Sequence, residues 1–167
     1  MNIMTYNETH YKSVASNYPY NNLRKIIGED ELLNHISTVF YYDDVSIEVG
    51  KRDVKMQAYM RNEKINYLIG MTPKYPIFDP NSSDEQNQIY VDEFKAKLDR
   101  LDIAYIPCQG RARDFKEGGN GCFILINLSP SEVIKLLMIE DKPSQLSFTC
   151  IDQYNAAELI SCIDSLN

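Results

Sequence analysis

Apolar residues fall into two periods along the chain. Between Glu29 and Phe40 the residues Leu32, Leu33, Ile36, Val39 and Phe40 recur at helical spacing. Glu29, Asp30 and Glu31 put negative charge in the first turn, where the helix dipole favours it. The spacing predicts a helix over Glu29–Phe40. From Val45 the period drops to two. Val45, Ile47 and Val49 alternate with polar neighbours, and Gly50-Lys51-Arg52-Asp53 makes a turn. Val54, Met56, Ala58 and Met60 alternate again, and after Asn62-Glu63-Lys64 the run Ile65–Met71 is almost continuously apolar. This predicts a three-stranded antiparallel meander whose third strand is covered on both faces.

Downstream, Pro73, Pro76 and Pro80 make the stretch from Thr72 to Asn81 an ordered loop, because proline fixes φ and removes a donor. Ser82-Ser83-Asp84-Glu85 has capping-box spacing, with Ser82 as N-cap and Glu85 at N3. It opens a helix to about Arg100 with Tyr90, Val91, Phe94, Leu98 and Leu101 as its buried stripe. Strands are expected over Asp102–Cys108 and Cys122–Leu128. A second box, Ser129-Pro130-Ser131-Glu132, carries proline where its missing N–H costs nothing and starts a helix to about Glu140. Gln145–Ile151 reads as a strand and Asn155–Leu166 as a closing helix, with Ala156, Leu159, Ile160 and Ile163 on one side. Residues 1–22 form a polar arm with one short helix and four tyrosines, Tyr6, Tyr11, Tyr18 and Tyr20. These tyrosines either fold back onto the sheet or offer a surface to a partner. The element order predicts a single α+β domain over 1–167, with a mixed sheet of about five or six strands and helices mainly on one face.

At 167 residues the chain fits one core, and 44% hydrophobic with 25% charged residues is ordinary for a globular protein. Seventeen basic against 24 acidic residues leave a net charge of −7. Such a surface repels nucleic-acid phosphates and anionic lipid, and favours a partner protein with a basic face. No run approaches the roughly 20 apolar residues of a membrane span. The start, Met1-Asn2-Ile3-Met4, lacks the basic and apolar regions of a secretory signal. A cytoplasmic location is therefore expected, with Cys108, Cys122, Cys150 and Cys162 as free thiols. Cys108 and Cys122 are also placed to meet across a hairpin. The absence of Trp and the wealth of Ile, Asn, Lys and Tyr match AT-rich bacterial and phage coding sequence.

The segment Cys108–Cys122 stands out for candidate chemistry. It holds four glycines, Arg111, Arg113 and Lys116 between two strands. Glycines let backbone N–H groups approach an anion, and arginine grips carboxylate or phosphate through paired hydrogen bonds. A solvated hairpin explains the same composition. Cys108 does not begin a cysteine-phosphatase loop, because the sixth residue after it is Asp114 and Arg113 falls one short. His35-Ile36-Ser37 has the spacing of half a two-histidine phosphoesterase site, but His10 is followed by Tyr11 and Lys12 and supplies no second half. No metal-ligand spacing, Walker loop or nucleophile elbow occurs, so no cofactor or metal is implied. Asn87, Asn120, Gln145, Arg111 and Thr72 lie at ends of predicted elements, where neutral hydrogen-bonding side chains can line a rim of the sheet.

From Tyr67 onward the pattern resembles a family of bacterial and phage proteins known only as a domain of unknown function. That family has a strand ending T-A-x-N-P, a helix opening near E-N, a glycine after the next strand, an acidic residue before an apolar strand, and a glutamine opening the last strand. Here the corresponding places hold Gly70-Met71-Thr72-Pro73, Glu85-Gln86-Asn87, Gly110, Glu117 before Cys122-Phe123-Ile124-Leu125-Ile126, and Gln145-Leu146-Ser147-Phe148. Thr72 stands where the family has asparagine, and Gly118-Gly119-Asn120-Gly121 is inserted before the apolar strand. The resemblance covers residues 65–151 and implies an element order, with no activity. Regular secondary-structure grammar without a catalytic signature, and the basic glycine-rich segment 108–122, lead to two expected functions. One is a small interaction module, a phage or bacterial accessory protein that modulates a host partner. The other is a domain that binds or transforms a nucleotide or other phosphorylated small molecule through Arg111, Arg113, Asn87, Asn120 and Gln145.

Overall fold

The computed structural model describes residues 8–17, 20–73, 83–111 and 121–164. Tyr6, Tyr18, Arg113, Asn120, most of the proline loop and the end of the chain lie outside them. The N-terminal arm contains α1 (Glu8–Asn17). Two of its tyrosines fold inward: Tyr11 and Tyr20 are buried, and the Tyr20 hydroxyl donates to the Leu159 carbonyl at 2.9 Å.

The next helix, α2 (Asn21–Ser37), starts earlier than the apolar period suggests and ends before Val39 and Phe40. It is two segments joined at Gly28, whose φ of 82° is open to glycine and strained for other residues. Leu32, Leu33 and Ile36 face the core as expected. Val39 and Phe40 instead enter β1 (Val39–Tyr42), which turns through Asp43 into β2 (Val45–Ile47).

The expected meander is corrected at its second strand, because residues 54–60 lie in α3 (Val54–Asn62). Asp53 is the N-cap, accepting from the Met56 N–H at 3.0 Å. Only Met56, Gln57 and Met60 are buried, an i, i+1, i+4 set, while Val54 is 64% exposed. Alternation of Val54, Met56, Ala58 and Met60 fits either period. The aspartate cap and good helix formers decide for the helix.

β3 (Tyr67–Met71) follows, then α4 (Asp84–Arg100), β4 (Tyr105–Arg111) and β5 (Cys122–Ile126). The α4 capping box sits one residue later than expected, on Ser83 and Gln86. Tyr90, Phe94 and Leu98 are buried, and Leu101 at the C-cap is exposed. Ser129 and Glu132 form the second box as expected and start α5 (Pro130–Leu136). That helix stops before Glu140 because Glu140 and Asp141 adopt positive φ and turn a small hairpin of β6 (Met138–Ile139) and β7 (Lys142–Pro143).

β8 (Ser147–Asp152) is followed by β9 (Glu158–Ser161), where a closing helix was expected. Asp152 forces the reversal: its carboxylate accepts from the Tyr154 and Asn155 backbone N–H groups at 2.8 and 2.7 Å. Beyond that turn Ala157, Leu159 and Ser161 are buried and Glu158 is exposed, a period of two.

The architecture is α+β. Among the described residues, seven strands form one sheet in the order β2-β1-β4-β5-β3-β8-β9, more than the five or six expected. All its strand pairs are antiparallel rather than mixed. The parallel contact is an isolated bridge of Val49 to Ala157. Val49 follows one edge strand and Ala157 precedes the other. The bridge and the Gly50 N–H to Ala157 carbonyl bond (2.8 Å) therefore draw the two edges together and curl the sheet. Phe40, Ile47, Leu68, Cys108, Ile124 and Ile151 fill the inside of the curl with Met56 and Met60 of α3. Ile69, Met71, Phe123, Leu125 and Phe148 form the outer face, packed by Phe94 and Leu98 of α4 and by Val133 and Leu136 of α5. α1 and α2 pack on Val49, Leu146 and Leu159 at the β9 side. The helices thus serve both faces of the sheet rather than mainly one.

Candidate functional site at one end of the sheet

Register brings several sequence-distant polar residues to the same end, where β3 and β4 finish and β5 and β8 begin. Cys108 pairs with Cys122, and Ser147 pairs with Ser161. The β3 ladders match Gly70 to Ile124 and to Thr149, so Thr72, two residues on, stands between Cys122 and Ser147. The contact of Thr72 Oγ1 with Cys122 Sγ at 3.2 Å agrees with that placement. Cys122, Thr72, Ser147 and Ser161 thus form a row across four strands on the inner face, at the mouth of the curl.

Two members of this row are held by groups outside the sheet. Ser147 Oγ lies 2.6 Å from Nδ1 of His35, in the last turn of α2. Nε2 of the same ring faces Glu31 Oε1 at 3.6 Å, one helical turn back. Ser161 Oγ donates to Asp164 Oδ2 at 2.6 Å. The Asp164 carboxylate also accepts from the Asn22 and Leu23 backbone N–H groups. Its pKa is lowered: burial alone would raise it, but the Ser161 hydroxyl and these two N–H groups favour the charged form.

Arg111 occupies the same end on the outer face, since Cys108 and Gly110 of the same strand point inward. It is half-buried, with its guanidinium carbon 5.3 Å from the centroid of the Tyr41 ring. Its Nη2 donates to the Tyr41 hydroxyl at a long 3.4 Å, and its Nε is buried with no hydrogen-bond partner. Positions 41 and 111 become neighbours because β1 pairs with β4, matching Val39 to Arg111 and Tyr41 to Gln109.

Of the other expected site residues, Asn87 lies early in α4, whose Val91 would be 3.6 Å from a Cβ on Gly121 at this end. Gln145 is buried just before β8. It shares the end of the sheet with Arg111 but is separated by three strand spacings, roughly 14 Å. Arg113 and Asn120 lie outside the described residues. Sequence reasoning missed Tyr41, Ser147 and the His35 contact. Ser147 and His35 are 112 positions apart, and no local signal joins them.

The thiols are not poised as nucleophiles. Burial pushes Cys108, Cys150 and Cys162 up to about 12, with the neighbouring Cys122 adding to the rise at Cys108. Among the described residues no group of three His, Cys, Asp or Glu side chains is set to hold a metal ion, and no helix is long and apolar enough to cross a membrane. At the far end of the sheet a groove runs between α4 and α5. Lys97 on its wall is committed to the Leu136 carbonyl at 2.8 Å. No family model, no curated protein and no solved structure matches this chain.

Proposed function

We propose that the protein is a small cytoplasmic binding module that takes an anionic ligand, a nucleotide or another phosphorylated small molecule, on Arg111. One observation carries this reading. The Arg111 guanidinium is half-buried, stacked on Tyr41, and keeps a buried Nε–H without an acceptor. A buried donor left unpaired costs roughly 1–3 kcal/mol, which a phosphate or carboxylate oxygen would recover. The Tyr41 ring holds the guanidinium plane in place and so lowers the entropy lost on binding. Arg113, Asn87 and Asn120 are candidates to complete the contacts, and the glycines after Arg111 would let an anion approach. Gln145, about three strand spacings away, would reach only a ligand long enough to span roughly 14 Å.

A second reading rests on a different surface. Tyr154 is 62% exposed with Arg61 stacked on it at 5.1 Å, and Val54 is exposed at the start of α3, the helix that carries Arg61. Tyrosine and arginine together are enriched where protein partners dock, and the net charge of −7 selects a partner with a basic face. On this reading the protein is an interaction module, an accessory protein that modulates a host partner.

Titration calorimetry at low salt against pyrophosphate, nucleotides and sugar phosphates tests the first reading. Binding by the wild-type chain that is lost in Arg111→Ala and weakened in Tyr41→Leu supports it. Silence across the panel, or unchanged affinity in Arg111→Ala, overturns it.

A further inference from the structure

Ser147, His35 and Glu31 form a second constellation at this end of the sheet, on the face opposite Arg111. We infer that Ser147 is an activated nucleophile, with His35 as its general base and a small acyl ester as the class of electrophile it accepts. A nucleophilic serine needs a base within hydrogen-bond reach and a third group that orients the base. Here the base is at 2.6 Å, and a carboxylate stands 3.6 Å from its other ring nitrogen, a charge contact rather than a hydrogen bond.

The proton positions follow from the neighbours. A carboxylate 3.6 Å from Nε2 is too far for a hydrogen bond but favours, through its charge, the tautomer with its proton there, and in that tautomer the Nδ1 lone pair is directed at the Ser147 hydroxyl. Ser147 is then the donor and His35 the acceptor. Glu31 is itself held by Asn34, whose Nδ2 donates to Oε2 at 3.0 Å. When the imidazole takes the serine proton, its new positive charge meets the Glu31 carboxylate and the C-terminal end of α2.

Placement leaves both groups partly open to solvent. Ser147 is half-buried at the first position of β8, and His35 keeps a quarter of its side chain in solvent. The mouth of a curled sheet is a common place for small-molecule chemistry. The class of electrophile follows from charge. Glu31 faces His35, and Asp164 is bonded to the cross-strand neighbour Ser161. Two carboxylates repel a phosphate ester and tolerate a neutral carbonyl. In the reaction Ser147 Oγ bonds to the carbonyl carbon, the ester C–O bond breaks, and the serine proton passes through His35 Nδ1 to the leaving alkoxide. Water then releases the acid from the acyl-serine.

A fluorophosphonate probe applied to the full chain traps the first step: an O–P bond forms at Ser147, fluoride leaves, and the proton moves to His35. Peptide mass spectrometry should find one adduct, on Ser147, absent in Ser147→Ala. His35→Gln should form it at least about 100-fold more slowly, as expected on removing a general base, with its folded near-ultraviolet spectrum retained. Glu31 is a positioning residue. In Glu31→Gln, the ¹⁵N resonances of the His35 ring should report loss of the Nε2–H tautomer preference. No adduct, an adduct on another residue, or a Ser147 adduct formed equally fast in His35→Gln would overturn the inference.

Discussion

Asp164 caps a helix that begins far away in sequence: its two carboxylate oxygens accept from the Asn22 and Leu23 N–H groups at 2.8 and 3.2 Å. The N-cap of α2, Tyr20, offers no side-chain acceptor of its own, so the orphan donors of the first turn are satisfied from the chain's last described turn. Asp164→Ala should cost about 1–2 kcal/mol, the usual value of a lost N-cap. The loss should depend on pH. The folded carboxyl titrates below its ordinary range, so its stabilisation is present above about pH 4 and disappears as pH falls through the folded value. Urea denaturation of wild type and Asp164→Ala should therefore differ at pH 6 and converge at the acid end. A constant difference would mean that charge plays no part in the cap.

Gln57 is the polar centre of the inner core. It is fully buried, its Nε2 donates to the Asp152 and Asn155 carbonyls at 3.0 and 2.8 Å, and its Oε1 accepts from Arg52 Nε at 3.1 Å. It therefore ties α3 to the β8–β9 turn. Gln57→Leu keeps the volume but strands two carbonyls and one guanidinium donor. Arg52 and Asn155 are exposed and can turn to water, so about 1–3 kcal/mol of stability should be lost, the cost of roughly one polar group left unpaired. Equilibrium unfolding in urea measures it, and a loss below 0.5 kcal/mol (roughly the surface-substitution range) would show that the tie is not needed.

The legibility of this fold in its sequence varies with the range of the forces. Both capping boxes are local, and Ser129 with Glu132 sits where the spacing put it, while the α4 box moved by one residue to Ser83 because two serines compete. The apolar runs of β3, β5 and β8 were legible because strands covered on both faces need continuous hydrophobicity. Residues 54–60 and 158–161 were misread because short apolar sets fit both periods. The deciding groups, the Asp53 cap and the Asp152 turn, are single polar residues at their edges. In the site, Arg111 was legible as a cation in a glycine-rich segment. Tyr41 was not, because only the pairing of β1 with β4 makes it a neighbour.

Gly70 sits where a side chain would collide with the filling of the curl. A Cβ there would stand 2.4 Å from Phe40 Cδ2 and 2.6 Å from Cγ. Both atoms belong to a buried ring with little room to move, so Gly70→Ala should destabilise by about 1–3 kcal/mol through overpacking. Phe40→Leu removes the ring and should lower stability by itself, but Gly70→Ala should cost much less in that background. A double-mutant cycle by thermal or urea unfolding gives the coupling, expected between about 0.5 and 3 kcal/mol for residues in contact. Simple additivity would place the strain elsewhere.

The buried thiols should make the protein sensitive to alkali. Cys108, Cys150 and Cys162 hold their protons up to about 12 in the fold, chiefly because burial penalises the thiolate. In the unfolded chain they ionise near the ordinary value of about 8.5. Between those limits the unfolded state releases protons that the native state keeps. The stabilisation from the neutral thiols is therefore complete below about pH 8.5 and declines as pH rises toward 12. At pH 8 the native thiolate fraction is roughly one part in ten thousand, so an aromatic disulfide reagent should modify these three cysteines only as fast as the protein opens. Addition of urea should release them at once. In Cys162→Ala the fall of unfolding free energy between pH 8.5 and 10 should be shallower than in wild type, because one ionising group is gone (roughly the span set by the unfolded value). An unchanged slope, or rapid modification of the native chain at pH 8, would show that these thiols are not buried in the folded protein.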